Sequence, residues 1–333
     1  MSLINEKLKI KNIELKCRII MPPMATAKST DDGYVTDALC EYYKERTAGG
    51  YLGMVITEHA YITKQGKAGK GQNSIADDEA VEGLSRLTAA IHEGCNVVVA
   101  QLNHAGSATS KETTEMELVS ASAVDNPGKS PSLPNAVPKE LSKDEIIKIQ
   151  DEFVKAAFRA KKAGYDAVEI HSAHGYLLNQ FFSPLTNKRV DEYGPQSIEN
   201  RTRFQVEVYR KIRKELGEDF PIFIRLGGCD YMEGGSTIDD AVNAAKIFEK
   251  EGIDLIDLSG GMCRYQRADN KEPGYFSDMS KAVKAAVKTP VLVTGGVTTV
   301  KEAETLLKEN KADLIGVGRA ILKDANWARN NIG

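Results

Sequence analysis

Short apolar runs recur along the chain, separated by longer segments in which apolar positions have a helical spacing. Each run holds only a few residues, mostly β-branched or aliphatic, and lacks alternation of apolar and polar positions. This is the pattern of a parallel strand that is covered on both faces. Eight runs are predicted as strands: RIIM at 18–21, GMVIT at 53–57, NVVVAQ at 96–101, AVEIH at 167–171, IFIRL at 222–226, DLIDLS at 254–259, VLVT at 291–294 and LIGVG at 314–318.

The segments between these strands are predicted as amphipathic helices. SKDE at 142–145 has the capping-box sequence that starts a helix. Strands that alternate with helices favour a (β/α)8 TIM barrel. A doubly wound sheet is the alternative, but it usually has a glycine-rich turn after its first strand, and RIIMPPMATA at 18–27 has none. The predicted helices cover 36–48, 77–93, 142–163, 197–216, 237–251, 276–287 and 299–309.

Two short segments precede the first strand. LKI at 8–10 and IELK at 13–16 flank a KN turn and are predicted to form a hairpin that closes the floor of the barrel. No stretch of linker composition divides the chain. We therefore expect residues 1–333 to form a single domain.

The loops that leave the strands are longer than those that lead into them. The long ones cover 102–141, 172–196 and 260–275. In a barrel all strand-leaving loops gather at one face, where active sites lie. A single histidine in such a loop is commonly just a hydrogen-bonded surface group, but several on one rim favour an active site. Four of the five histidines follow strands: His59, His104, His171 and His174.

Composition and charge narrow the class of protein. The chain is 41% hydrophobic and 27% charged with a formal net charge of −3, which is globular and offers no basic face for nucleic acid. No apolar run reaches the roughly 18 residues of a membrane span, and the amino-terminal segment lacks the apolar core of a secretory signal. Five scattered cysteines without a C-x-x-C pair suggest reduced thiols. We therefore expect a cytoplasmic protein without nucleic-acid or membrane partners.

HSAHGYLLNQFFSPLTNKRVDEYG at 171–194 holds the densest group of proton-capable side chains. His171 ends the fourth strand, and His174 and Tyr176 follow within reach of the same spot. Three interpretations compete: a hydrogen-bonded loop, a metal site, or a pair of donors for a carbonyl oxygen with a tyrosine as proton donor. Apart from Glu58, the other strand ends supply few further metal ligands, so the metal site is the weaker interpretation.

The last two strand ends indicate a phosphate site. Gly295 and Gly296 follow the seventh strand, and Gly318 and Arg319 follow the eighth. Backbone N–H groups and a guanidinium at this part of a barrel commonly hold a phosphate. A single glycine pair is weak evidence, because it also suits a tight turn. Two such strand ends together with an arginine are stronger evidence for a phosphate site.

Two polar residues in the strands suggest what carries that phosphate. Gln101 ends the third strand and can donate and accept hydrogen bonds at once, which suits the edge of a heterocycle. Arg225 lies inside the fifth strand, where an unpaired guanidinium is unfavourable, so it needs a protein carboxylate or an anionic cofactor. A phosphate, an amide and a cation together meet the needs of FMN, whose reduced ring is negatively charged.

The chain resembles the Old Yellow Enzyme family of FMN-dependent ene-reductases, the NADH:flavin oxidoreductases. The resemblance runs from LKIKNIELKCRIIMPPMA to ADLIGVGRAILKDANWA, and EIHSAHGYLLNQFFSPLTNKRVDEYG with the following SIENRTRF is its most specific part. It implies a (β/α)8 barrel with FMN at its carboxyl-end rim, reduced by NADH or NADPH. It also implies that a small molecule with an electron-poor C=C bond is the substrate.

The resemblance implies a role for each candidate residue. His171 and His174 would bind the carbonyl or nitro oxygen of the substrate, and Tyr176 would protonate its α carbon after hydride transfer. His59 matches a position that contacts the flavin through its backbone, so its side chain is expected to be incidental. The remaining flavin contacts would come from Pro22, Pro23, Met24 and Ala25 along the ring, Gln101 and Arg225 on its pyrimidine side, and Gly318 and Arg319 at the phosphate, beside Gly295 and Gly296.

Two features limit what the resemblance implies. Family members often carry Cys or Thr where this chain has Ala25, and PPMAT at 22–26 resembles the dienoyl-CoA-reductase and enoate-reductase branch. The substrate, the choice between NADH and NADPH and any homo-oligomer are therefore left open. Two other functions also stay open: a flavoprotein that relays electrons to a partner, and a metal-dependent barrel hydrolase or aldolase.

Overall fold

In the computed structural model, which describes residues 2–333, the eight apolar runs form a closed barrel of parallel strands. Each strand pairs with the next along the chain, and the eighth pairs with the first, so the barrel has no open edge. The predicted (β/α)8 fold is therefore confirmed. The strands are β1 (Ile19–Met21), β2 (Met54–Ile56), β3 (Val98–Asn103), β4 (Ala167–Ser172), β5 (Ile222–Cys229), β6 (Leu255–Gly260), β7 (Val291–Thr294) and β8 (Leu314–Gly316).

The seven predicted helices are all present, and capping boxes start three of them at Ser142, Thr237 and Thr299. Four further helices hold only four to six residues each and are too short for a periodic pattern. The helices are α1 (Asp37–Thr47), α2 (Ala80–His92), α3 (Lys111–Thr114), α4 (Lys143–Lys162), α5 (Leu177–Phe182), α6 (Ile198–Leu216), α7 (Ile238–Glu251), α8 (Ser277–Ala286), α9 (Val300–Lys308), α10 (Arg319–Lys323) and α11 (Trp327–Ile332). Within residues 2–333, none of them has the length and apolar character needed to cross a membrane.

The lower half of the barrel interior is apolar. The hairpin predicted before the first strand is present as Leu8–Ile10 paired antiparallel with Ile13–Leu15. Its buried side chains belong to the same cluster as the inward-facing residues of the strands, which confirms that the hairpin closes the barrel. We call the inward-facing residues at and next to the strands in this cluster the apolar floor: Ile20, Met54, Ile56, Val97, Val99, Ala167, Phe223, Leu255, Leu292 and Leu314.

Above the apolar floor the interior becomes polar. The next inward positions of β3 to β6 are Gln101, Glu169, Arg225 and Asp257, which are 0–3% exposed. Gln101 lies opposite Glu169 in the strand register, and Arg225 lies opposite Asp257. We call these four residues the polar layer. Isolated charges are unfavourable in a barrel core, so charged residues at this level indicate that a functional site begins here, above the packed core.

One buried carboxylate ties three strand-leaving loops together. Asp230, directly after β5, is 0% exposed. Its oxygens accept hydrogen bonds from the Ser183 hydroxyl at 2.6 Å, the Ser236 N–H at 2.7 Å and the Met262 N–H at 2.8 Å. The loops after β4, β5 and β6 are thereby held in fixed positions relative to one another.

Candidate active site

A cavity of about 400 Å³ lies at the carboxyl ends of the strands, directly above the polar layer. The barrel topology brings these strand ends together although they are far apart in sequence. All of the predicted site residues except Gly295 line it. They are Pro22, Pro23, Met24, Ala25, His59, Gln101, His171, His174, Tyr176, Arg225, Gly296, Gly318 and Arg319.

Two residues expected at this rim do not line the cavity. The Gly295 carbonyl accepts a hydrogen bond from Gly274 N–H at 2.6 Å, and its Cα faces the Tyr275 and Phe276 rings. Of the glycine pair, Gly296 alone faces the cavity. His104 is buried, and its Nδ1 accepts a hydrogen bond from the Gly106 N–H at 3.1 Å, so it organises its own loop.

The sequence interpretation missed several residues of the site. Arg264 and Tyr265 come from the loop after β6, whose length had already marked it as a loop of the active face. The acidic members of the polar layer, Glu169 and Asp257, were also missed, although a carboxylate inside an otherwise apolar strand was a usable signal. The other unpredicted residues that line the cavity are Tyr275, Thr294, Val297 and Leu322.

The turn after β4 directs His174 into the cavity by an unusual backbone conformation. His174 and Gly175 have φ angles of 60° and 74°, in the left-handed region that few residues other than glycine adopt. The surrounding loops hold this turn in place: Asn126 Nδ2 donates to the Gly175 carbonyl at 2.8 Å and Gln180 Nε2 donates to it at 2.7 Å, while the Gly175 N–H donates to Asn179 Oδ1 at 2.8 Å.

His171, His174 and Tyr176 form a compact group. The centroids of the two imidazole rings are 5.2 Å apart, and the Tyr176 ring lies 5.1 Å from that of His171. His174 Nε2 shares a hydrogen bond of 2.7 Å with the Ser259 hydroxyl. Burial, with a smaller contribution from the Arg225 charge, holds the pKa of both imidazoles well below the usual value. Both rings are therefore neutral, and each has one N–H donor.

Within the polar layer some hydrogen-bonding capacity is unused. Gln101 Nε2 donates to Glu169 Oε1 at 2.7 Å, which leaves the buried Gln101 Oε1 without a partner. Arg225 Nε lies 3.1 Å from Asp257 Oδ2, so a protein carboxylate does balance the arginine, but the pair lacks the alignment of a hydrogen bond. Burial raises the pKa of both Glu169 and Asp257, and the Arg225 charge partly opposes this.

At the opposite end of the cavity, the ends of β7 and β8 present backbone and a cation. Gly296 has a φ of 76°, and a side chain there would strike the Tyr275 ring. Arg319 Nη2 donates a long hydrogen bond of 3.3 Å to the Tyr275 hydroxyl. The Thr294 hydroxyl is buried without a partner. This end therefore has the donors that an anionic group requires.

The His59 imidazole also faces the cavity, whereas its side chain was expected to be incidental. Its Nε2 lies 3.4 Å from the Tyr176 hydroxyl oxygen, and its Nδ1 lies 2.6 Å from Gln72 Nε2. The His59 ring centroid is 5.3 Å from that of Tyr176 and 6.1 Å from that of His171. A third histidine thus adjoins the group formed by His171, His174 and Tyr176.

Other parts of the surface offer less chemistry. A more open depression of about 750 Å³ lies beside the loop after β5, but its arginine, Arg267, already donates to Asp269 and Asp278 at 2.7 Å. Within residues 2–333, no three His, Cys, Asp or Glu side chains are grouped so that they could hold a metal ion.

Comparison with known proteins agrees with this geometry. Residues 4–331 match the sequence profile of the NADH:flavin oxidoreductase / NADH oxidase family. The chain is 36% identical over 327 residues to an NADH oxidase of Thermoanaerobacter brockii, covering 96% of this chain and 49% of that protein. It is 39% identical over 316 residues to an NADPH dehydrogenase of Clostridium acetobutylicum, covering 95% of this chain and 90% of that one. The chain thus spans about half the length of the first relative.

A solved structure shares the fold. The Old Yellow Enzyme homologue from Zymomonas mobilis superposes with a TM-score of 0.85 at 27% identity, covering 99% of this chain and 92% of that one. The similarity extends over the whole barrel and includes the face that carries the cavity.

Proposed function

Because this chain belongs to the NADH:flavin oxidoreductase / NADH oxidase family, whose cofactor is FMN, we propose that it reduces electron-poor C=C bonds with NADH or NADPH. The substrates in this proposal are α,β-unsaturated carbonyl or nitro compounds. The observation that carries it is that two neutral histidines and a tyrosine line one cavity. The same cavity holds polar groups that have no hydrogen-bond partner in the protein and that suit a flavin. The proposal treats residues 1–333 as a single FMN-binding barrel domain.

The unpaired polar groups of the cavity fit FMN. Gln101 Oε1 is a free acceptor, suited to a ring N–H, and Arg225 would face the side of the ring that becomes negative. Arg319 and the backbone of Gly296 and Gly318 would hold the phosphate. The ring itself would lie along Pro22, Pro23, Met24 and Ala25. When bound, FMN supplies hydride transfer between NAD(P)H and the substrate.

The chain's own residues would bind the substrate and supply its proton. Neutral His171 and His174 would donate N–H bonds to the carbonyl or nitro oxygen, which withdraws electrons from the double bond. Burial raises the pKa of the Tyr176 hydroxyl, with partial opposition from Arg264, so the group keeps its proton at neutral pH. Tyr176 would then give that proton to the substrate carbon.

The decisive experiment follows the visible spectrum of the purified protein. We expect a flavin spectrum that bleaches when NADH or NADPH is added without oxygen and returns when a simple enone is added. A flavin that NAD(P)H reduces but enones do not reoxidise would favour an electron relay. Absence of flavin would overturn the proposal. Arg319→Ala should retain less FMN than the matched variant Arg329→Ala, which changes an exposed arginine in α11.

We expect phenols to bind in the position of an enone, so they test the oxygen pocket without turnover. His171→Ala and His174→Ala should each weaken phenol binding by about 1–3 kcal/mol, or about 5- to 150-fold, because each removes a buried donor to the oxygen. Titration of the long-wavelength absorbance of the flavin–phenol complex measures this. His92→Gln, outside the cavity, is the matched control. Native affinity in the double variant would mean that the oxygen binds elsewhere.

A further inference from the structure

The orientation of the Gln72 amide is fixed by its surroundings. The Ala68 N–H donates to Gln72 Oε1 at 2.6 Å, so this end of the amide is the oxygen. The other end, Nε2, lies 3.1 Å from the His59 carbonyl oxygen and 2.6 Å from His59 Nδ1. An amide nitrogen has two hydrogens and no acceptor capacity. Both hydrogens therefore point at His59, one at its carbonyl and one at its ring.

This contact determines which nitrogen of His59 carries a proton. Since the Gln72 amide donates to Nδ1, Nδ1 must be the acceptor, and the single proton of the neutral ring lies on Nε2. A second proton on Nδ1 would face the N–H of Gln72. Burial, and then the Arg225 charge, lower the pKa of His59 to about 4, which agrees with a ring that remains neutral.

The Nε2–H of His59 then determines how the Tyr176 hydroxyl is oriented. Nε2 lies 3.4 Å from the hydroxyl oxygen, at the long end of the hydrogen-bond range, and such contacts in active sites often shorten when ligands bind. Because Nε2–H can only donate, the Tyr176 oxygen is the acceptor. The hydrogen of the hydroxyl is left free to point away from His59, toward the rest of the cavity.

We propose that His59 is a positioning residue for Tyr176, held in its Nε2–H tautomer by Gln72. It directs the hydroxyl hydrogen of Tyr176 toward the substrate and stabilises the oxygen once that hydrogen has left. This inference rests on the proposed function, in which Tyr176 is the proton donor. Nothing in the sequence resemblance assigned a role to the His59 side chain.

The step balances in protons and electrons. The O–H bond of Tyr176 breaks, a C–H bond forms at the substrate carbon that carries the electron pair after hydride transfer, and the phenolate oxygen keeps the electron pair of its O–H bond. Water returns a proton to the phenolate afterwards. The N–H of His59 is a donor to the phenolate oxygen throughout, and hydrogen bonds to charged oxygens are the stronger kind.

Other charged and titratable groups line the same cavity as Tyr176. His171 and His174 approach from β4 and its turn, Arg225 from β5, and Arg264 and Tyr265 from the loop after β6. Arg264 acts on the phenolate through its charge, whereas His59 is within hydrogen-bond distance of the oxygen. A pH readout must therefore compare variants that leave both arginines in place.

The test uses the holoenzyme with His59→Phe, which keeps a ring but has no donor, and His59→Gln, which restores an N–H. We expect His59→Phe to slow reoxidation by an enone by about 10- to 100-fold, the range for a lost hydrogen bond to a charged oxygen, and His59→Gln to recover part of this. Reduction by NADH in the same variant is the internal reference. Native reoxidation in His59→Phe would overturn the inference.

A second readout requires no turnover. The pKa of Tyr176 is obtained from the tyrosinate absorbance that disappears in Tyr176→Phe, measured in oxidised enzyme. We expect His59→Phe to raise this pKa, because the phenolate loses its donor, whereas a purely structural role would leave it in place. Gln72→Glu should also slow enone reoxidation, since a carboxylate would draw the His59 proton to Nδ1 and make Nε2 an acceptor. It serves as the second variant if His59→Phe does not fold.

A double variant separates the inference from the function on which it rests. If His59 acts through Tyr176, then His59→Phe should slow enone reoxidation little further once Tyr176→Phe is present. If the two substitutions slow reoxidation independently, so that their effects multiply, the inference is overturned and Tyr176 remains the donor. Native reoxidation in Tyr176→Phe alone would instead show that Tyr176 is not the proton donor.

Discussion

Tyr176→Phe is expected to slow reoxidation of the reduced enzyme by an enone by about 10²–10⁴-fold, while reduction by NAD(P)H stays near the native rate. The reason is that general acid catalysis typically contributes this factor, and only the oxidative half of the reaction protonates a carbon. Burial keeps the pKa of the hydroxyl above its usual value, so the native group is available as an acid. Anaerobic stopped-flow measurement of the two half-reactions resolves the two rates.

The matched control is Tyr265→Phe, which removes another hydroxyl at the rim of the same cavity but keeps the ring, whose centroid lies 6.1 Å from that of His174. Reoxidation by nitro compounds should be slowed less by Tyr176→Phe, since their reduced anion can leave without a proton on carbon. Equal losses in both half-reactions would show that Tyr176 supports the structure of the cavity and does not act as the acid.

Asp230→Ala is expected to lower the free energy of unfolding by about 3–5 kcal/mol. The substitution strands the Ser183 hydroxyl and the N–H groups of Ser236 and Met262, all of which the carboxylate now satisfies in a buried setting. Since these groups belong to three different loops, we also expect weaker phenol binding in the cavity that the loops enclose. Denaturant titration of the holoenzyme gives the change in stability.

Asp239→Ala, at an exposed position in the first turn of α7, is the comparison for Asp230→Ala. It should change stability by less than about 1 kcal/mol, the range for a surface charge near a helix start. If the two variants unfold alike, the hydrogen bonds of Asp230 contribute nothing net and the three loops are held by other contacts.

The fold could be predicted because its signals are local. A run such as VLVT at 291–294 is typical of a buried parallel strand. The longer helices carry their own start signals, as at Ser142. The short helices lack such signals. Leu177–Phe182 begins directly after Tyr176 and is stabilised by tertiary contacts, such as the Leu177 N–H donating to the His104 carbonyl at 2.9 Å.

The candidate site could be predicted where topology alone decides it. Once the strands form a barrel, whatever follows them meets at one rim, and this places His171 and Arg319 in the same cavity. Side-chain direction could not be predicted in the same way. The choice between Gly295 and Gly296 depends on a backbone φ of 76° at the second, and the orientation of His59 depends on Gln72, thirteen positions further along the chain.

The division of the barrel interior into an apolar floor and a polar layer has a consequence for how new specificities arise. In the apolar floor, exchanges such as Ile56 for Leu conserve volume and usually lower stability by less than about 1.5 kcal/mol. In the polar layer, loss of Arg225 or Asp257 leaves an uncompensated buried charge, which lowers stability by about 3–5 kcal/mol. Substitutions that change specificity are therefore disfavoured in the polar layer of the strands. Descendants of this chain should acquire new substrates through mutations in the long loops, such as the one that carries Arg264 and Tyr265, while the strands beneath change slowly.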